Sequence, residues 1–404
     1  MKRMNDANTG LNYQRPFSPE RGLPIVNLLA VLFIVILASG CVSQRTPDTL
    51  SATLTISPGL TLGCVPPKEE KIAFIARKGR EEGVCTVRAD GTDLDCLGFP
   101  PIGSIGLDAV WSPDYSQVAL SFAPFYEEGR YQSHLYLLDG SLGYFTLLSS
   151  QGDAWWPVWS PDGRKIAYQV HLSDRVDYDI WMIDLATQRI SPVTYKRAEE
   201  VLGGWSAEGD RLFFLSDQDG DRLEVYVANI NDPERKQLTH TGLAKYGLKV
   251  SPNGEYLLFL SATIREEGID PITGDPADYR FRLFVMRNDG SGMEELPFEQ
   301  VIWDFSWTPQ GDRVLILGGD PSTVYVIELE GREVTAVIQG ENLDRYSPLQ
   351  GPLAGSLDGT KLAFRCHTFD LCVSDYQGME IKLLEIRRAN LEVVGGIQWV
   401  CRGK

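Results

Sequence analysis

A single spacing recurs six times along this 404-residue chain and constrains what it can fold into. A short apolar run ends on an anchor residue, and a second apolar run begins six positions later. Trp111 leads to Gln117, Trp159 to Lys165, Trp205 to Arg211, Val250 to Tyr256, Trp307 to Arg313 and Gly355 to Lys361. The clearest copy reads Trp159-Ser160-Pro161-Asp162-Gly163, then Lys165-Ile166-Ala167-Tyr168, then Asp179-Ile180-Trp181-Met182-Ile183-Asp184. Proline presets φ and glycine accepts φ > 0, so Ser-Pro-Asp-Gly makes a tight turn between two strands. The aromatic and β-branched residues of the third run make another strand. A fourth is expected to begin near Gln188, Arg189 and Ile190. Successive anchors lie 48, 46, 45, 57 and 48 residues apart. A period in the forties, divided into four short strands, predicts the blades of an all-β propeller.

Trp-Ser-Pro-Asp-Gly-x-Lys-Ile-Ala-Tyr followed by Ile-Trp-Met-Ile-Asp resembles the WD-type repeat of TolB-like propellers, over roughly Lys71 to Val400. The resemblance implies the fold and is unspecific for function. TolB itself carries an α/β domain ahead of its propeller, for which this chain offers no counterpart, so the resemblance does not imply a place in the Tol system. Second strands starting at Lys71 and at the six positions above give seven four-stranded blades, with six or eight as the neighbouring counts. Lys71-Ile72-Ala73-Phe74 lacks a turn of this kind ahead of it, whereas Ile397-Gln398-Trp399-Val400 reads as a first strand. Joining the two completes one blade and closes the ring. Val65, six residues before Lys71, is the competing anchor.

The N-terminus reads as a targeting segment. Lys2, Arg3, Arg15 and Arg21 precede an apolar stretch from Leu23 to Ala38, short for a membrane span and suited to a signal peptide. It ends in Leu37-Ala38-Ser39-Gly40-Cys41, which resembles a bacterial lipobox and implies lipidation of Cys41; Ala38 departs from the usual leucine. An uncleaved N-terminal helix anchor is the alternative. The expected organisation is a signal peptide over 1–40, a flexible tether rich in Thr, Ser, Pro and Gly over 41–67, and the propeller over 68–404. The chain has seven cysteines, and setting Cys41 aside leaves an even number, which in an exported chain reads as disulfides. Cys85 and Cys96 flank Asp90-Gly91, and Cys366 and Cys372 flank Phe369, each as a hairpin pair. Cys64 and Cys401 remain, one from each end of the propeller, and are expected to lock the ring.

A formal charge of −17 argues against nucleic acid as a partner, because phosphate contacts need clustered Lys and Arg. His134, His171, His240 and His367 fall in different blades, so their spacing shows no metal cluster. No nucleophile elbow, His-Glu-x-x-His motif or phosphate-binding glycine loop is present, and no catalytic residue is assigned. No cofactor is expected. Asp217, Asp219 and Asp221 alternate around Gly220 and leave calcium as a secondary reading, without the closing glutamate of a twelve-residue loop.

The connections between blades carry the better lead. Trp155, Trp156, Tyr246, Trp303 and Tyr346 lie there beside Asp153, Arg197, Glu199, Lys245, Asp304 and Arg345. Aromatic platforms among charges suit a sugar or peptide. The insertion Ala262 to Arg280, which widens one repeat to 57 residues, is expected over the same mouth. The sequence thus predicts an extracytoplasmic, lipid-anchored, non-catalytic module for a peptide, an envelope protein or a glycan. The alternative is a propeller-type carbohydrate-active enzyme, a lyase or glycosidase, which would need paired carboxylates converging in the channel.

Overall fold

A side-chain hydroxyl accounts for the six-residue step. The residue after each anchor is Ser or Thr, and its oxygen accepts the backbone N–H of the second strand's first residue. The distances are 3.0 Å for Ser112 and Gln117, 2.9 Å for Ser160 and Lys165, and 3.1 Å for Ser206 and Arg211. They are 2.9 Å for Ser251 and Tyr256, 3.3 Å for Thr308 and Arg313, and 2.8 Å for Ser356 and Lys361. Each hydroxyl also meets an acid or amide of its own turn, as Ser160 meets Asp162 at 2.6 Å. The turn residue four places after the anchor adopts φ between +59 and +72°, glycine in five blades and Tyr115 in the sixth. Changing the step would break these bonds, which is why it survives while the surrounding residues vary.

The computed structural model describes residues 69–401 apart from 80, 99–104, 124–125, 128–129, 140–143, 174–176, 233, 265–278, 320–322, 340–352, 367–368 and 379. Seven four-stranded antiparallel sheets form the blades of a β-propeller. Second strands begin at Glu70, Gln117, Lys165, Arg211, Tyr256, Arg313 and Lys361. Blade 1 takes its innermost strand, Glu392–Cys401, from the far end of the chain and pairs it with Glu70–Lys78, setting Ile72 opposite Trp399. The seam therefore closes as the position of Trp399 predicts. The anchor tryptophans stitch neighbouring blades together. Trp159, Trp205, Trp307 and Trp399 each donate an indole N–H to a backbone carbonyl of the preceding blade's innermost strand, at 2.9, 3.1, 3.3 and 3.0 Å. At the anchor position of blade 7, Gly355 leaves space that the Tyr376 hydroxyl fills.

The core lies between blades rather than at one centre. Ala167 and Ile180 of blade 3, for example, cluster with Trp205, Leu212, Phe214 and Tyr226 of blade 4. Cys85 and Cys96 are directly opposite one another and disulfide-bonded. Cys366 and Cys372 are also bonded, but Cys366 faces Asp370, so the hairpin turns one residue earlier than a centre at Phe369 implies. Cys401 is in a disulfide; Cys64, the partner assigned to it above, lies outside the described residues, as do Cys41 and Val65.

Candidate functional site

The up-and-down strand order sets which residues meet. The start of every innermost strand, the end of every second strand and the start of every third strand fall on one face of the ring; the anchor turns fall on the other. Trp155, Trp156, Tyr246, Lys245, Trp303 and Asp304 were expected in the connections between blades. They instead occupy the innermost strands Asp153–Trp159, Lys245–Val250 and Ile302–Trp307, toward the strand starts. The reason is a bulge near the start of each strand, which breaks the alternation that marks a strand in sequence.

The bulge in blade 3 displays a tryptophan. Trp156 has φ +49° and is 41% exposed. The position three before the anchor also has positive φ in blades 5 and 1, where it is Gly247 at +64° and Gly396 at +61°. A Cβ on Gly247 would come within 2.9 Å of Phe305 in the next blade. The Trp156 ring lies 6.4 Å from Trp155 and 6.2 Å from Tyr178, and Tyr178 lies 5.4 Å from His171. Asp153 completes this ledge. One of its oxygens accepts the Ser133 N–H at 3.0 Å, and the other lies 3.8 Å from His171 Nδ1.

Carboxyls of blade 4 adjoin the ledge. Glu199 is pushed up to about 7 by burial, then by the charges of Asp177 and Asp217, while the Tyr178 N–H opposes the shift. Tyr178 is raised by burial and by Glu199 and Asp153. The Glu199 backbone N–H donates to Asp217 Oδ1 at 2.9 Å. Beneath it, Glu200 is fully buried and pushed up to about 8, chiefly by desolvation. The Thr194 hydroxyl is near enough to oppose that shift, yet neither Glu200 oxygen makes a hydrogen bond of ordinary geometry, and burial wins. At the corresponding place in blade 5, Lys245 forms a buried ion pair with Glu224 of blade 4 at 3.2 Å. The Lys245 ammonium is therefore withdrawn into the protein rather than presented at the mouth.

The remaining candidates scatter. Trp303 is 38% exposed in blade 6 and donates its indole N–H to Gly319 at 3.2 Å. Tyr246 packs edge-on against Phe281 at 5.2 Å in blade 5. Arg197 is exposed on the approach to blade 4. Arg345 and Tyr346 lie outside the described residues. Asp217 and Asp219 sit on the blade 4 hairpin, where Asp219 pairs with Lys196 at 3.3 Å. Among the described residues no three His, Cys, Asp or Glu side chains are arranged to hold a metal ion. His171 entered the sequence reading only as one of four scattered histidines and Tyr178 not at all, although the strand order alone carries both hairpin ends to this face.

Residues 67–273, half of the sequence, match the TolB beta propeller domain. The chain belongs to the TolB β-propeller family. An uncharacterised protein of Agrobacterium fabrum is 24% identical over 50% of this chain and 66% of its own length. The Tol-Pal system protein TolB of Francisella tularensis subsp. holarctica is 26% identical over 35% of this chain and 35% of its own. This TolB-type propeller thus spans about two thirds of the first relative and about a third of the second. Its fold is shared by oligogalacturonate lyase from Vibrio parahaemolyticus, at 12% identity, 78% of this chain, 86% of that one and a TM-score of 0.54.

Proposed function

We propose that this TolB-type propeller is a non-catalytic, lipid-anchored binding module outside the cytoplasm, whose peptide, envelope-protein or glycan ligand docks on the blade 3 ledge. The observation that carries the reading is Trp156, a large aromatic exposed in a backbone conformation that two other blades fill with glycine. Such strain costs on the order of 1–3 kcal/mol and persists where a site benefits from it. Kinship with a Tol-Pal system protein supports an envelope partner. The disulfides support an oxidising compartment.

Tryptophan fluorescence titrations with a panel of peptides and oligosaccharides test the reading. Binding by the wild type should weaken about tenfold or more in Trp155→Ala and in Trp156→Ala, with the thermal melt nearly unchanged. Trp303, on the same face but in blade 6, should matter less. A lyase or glycosidase would instead release unsaturated or reducing sugar ends, and Glu199, raised to about 7 by burial and by the charges of Asp177 and Asp217, is the acid–base group it would use. Turnover lost in Glu199→Gln would replace the binding reading with that one.

A further inference from the structure

The ledge also carries information about the class of its ligand. Its exposed surface pairs aromatic faces with carboxyls. Trp156 and Tyr178 present rings, Asp153 and Glu199 act on Tyr178, and Asp217 adjoins Glu199. Of the cations near the ledge, Lys196 pairs with Asp219 at 3.3 Å and Lys245 is buried against Glu224, while Arg197 is exposed on the approach to blade 4. The chain as a whole carries a formal −17, so the long-range field favours a cationic ligand. The flanking blades add relief. In blade 2 a two-stranded ribbon, Tyr126–Glu127 with Arg130–Tyr131, interrupts the connection between second and third strands. In blade 5 the corresponding hairpin is lengthened, its paired strands running to Ile264 and from Tyr279. Blades 3 and 4 lie between them in the ring.

We propose that the ledge docks a cationic peptide segment, seating a lysine or arginine side chain against Trp156 and Tyr178 with Asp153 and Glu199 as counter-charges. The assignment rests on the binding reading above and narrows it to one ligand chemistry. Cation–π attraction and partly desolvated carboxylates act on the same group, so each should be separable by mutation. A neutral peptide or glycan would gain from the rings and nothing from the acids.

The test is a fluorescence titration of the wild type with N-acetylated tetralysine, with the same peptide acetylated on every side-chain amine, and with tetraglutamate. Tetralysine should bind and weaken as salt is raised, while the other two should fail to saturate. Trp156→Ala should weaken tetralysine binding about tenfold or more, Trp156→Tyr should retain most of it, and Asp153→Asn with Glu199→Gln should again cost about tenfold. Trp156→Ala keeps the net charge, so its loss of binding separates the ledge from general attraction to an acidic surface. Equal binding of the acetylated peptide would overturn the cationic assignment and leave the ledge standing as a binding site. Equal binding of tetralysine to wild type and Trp156→Ala would overturn both.

Discussion

Trp156 and Glu200 are two places where a residue departs from what its position favours. In the left-handed bulge of blade 3, glycine is the unstrained choice, as Gly247 and Gly396 illustrate. Trp156→Gly should therefore raise the stability of the fold by about 1 kcal/mol while removing ligand binding, a separation that denaturant titration and fluorescence together would register. A fall in stability would mean that the indole is a packing element. Glu200 offers a test by pH. Its folded-state value, about 8, lies above the ordinary 4.5, so the folded protein holds this proton more tightly than the unfolded chain. Its contribution to stability is complete below about 4.5 and is lost as pH rises to about 8. The span is on the order of a few kcal/mol. Glu199 acts in the same direction up to about 7 but is partly exposed. Arg235 lowers the Glu200 value, and Asp179 and Asp217 raise it. Glu200→Gln should flatten the decline of melting temperature between pH 5 and 8; an unchanged slope would assign the decline to other groups.

At the scale of the strand and turn, the recurring geometry is a hydroxyl cap beside an indole stitch. Trp205→Phe keeps most of the buried ring but deletes the 3.1 Å bond to Val158. It should cost about 1–2 kcal/mol in equilibrium unfolding, because the carbonyl is left without that donor. Ser206→Ala removes the acceptor for the Arg211 N–H and should cost about 1 kcal/mol. These elements were readable from sequence because the cap forces a constant step, even where Val250 and Gly355 replace the tryptophan. The start of the innermost strand was not. Trp155-Trp156-Pro157 looks like a connection because the bulge interrupts alternation and proline cannot donate to the ladder.

Across the whole molecule, closure was legible because Trp399 is an anchor without a second strand after it, and Lys71 opens a second strand without an anchor before it. The grouping of Asp153, His171, Tyr178 and Glu199 was hidden, since it depends on which ends of successive strands share a face and on no short-range motif. Sequence likewise gave no sign that Lys245 turns inward to Glu224. A disulfide between Cys64 and Cys401 would lock the seam, and non-reducing peptide mapping should recover that linkage; pairing of Cys64 with any other cysteine would contradict it. Chain-entropy arguments give such a closure at least the ~4.7 kcal/mol of a 100-residue loop, although measured gains are often smaller. Mass spectrometry of the membrane-extracted protein should find an acylated N-terminus at Cys41, whereas an intact Met1 would contradict the lipid anchor. The central claim is that the blade 3 ledge binds the ligand, and the most direct measurement compares binding of tetralysine by the wild type and by Trp156→Ala with melts recorded on the same samples. Binding lost with the melt preserved is the predicted result; binding preserved in a folded Trp156→Ala protein would contradict the account.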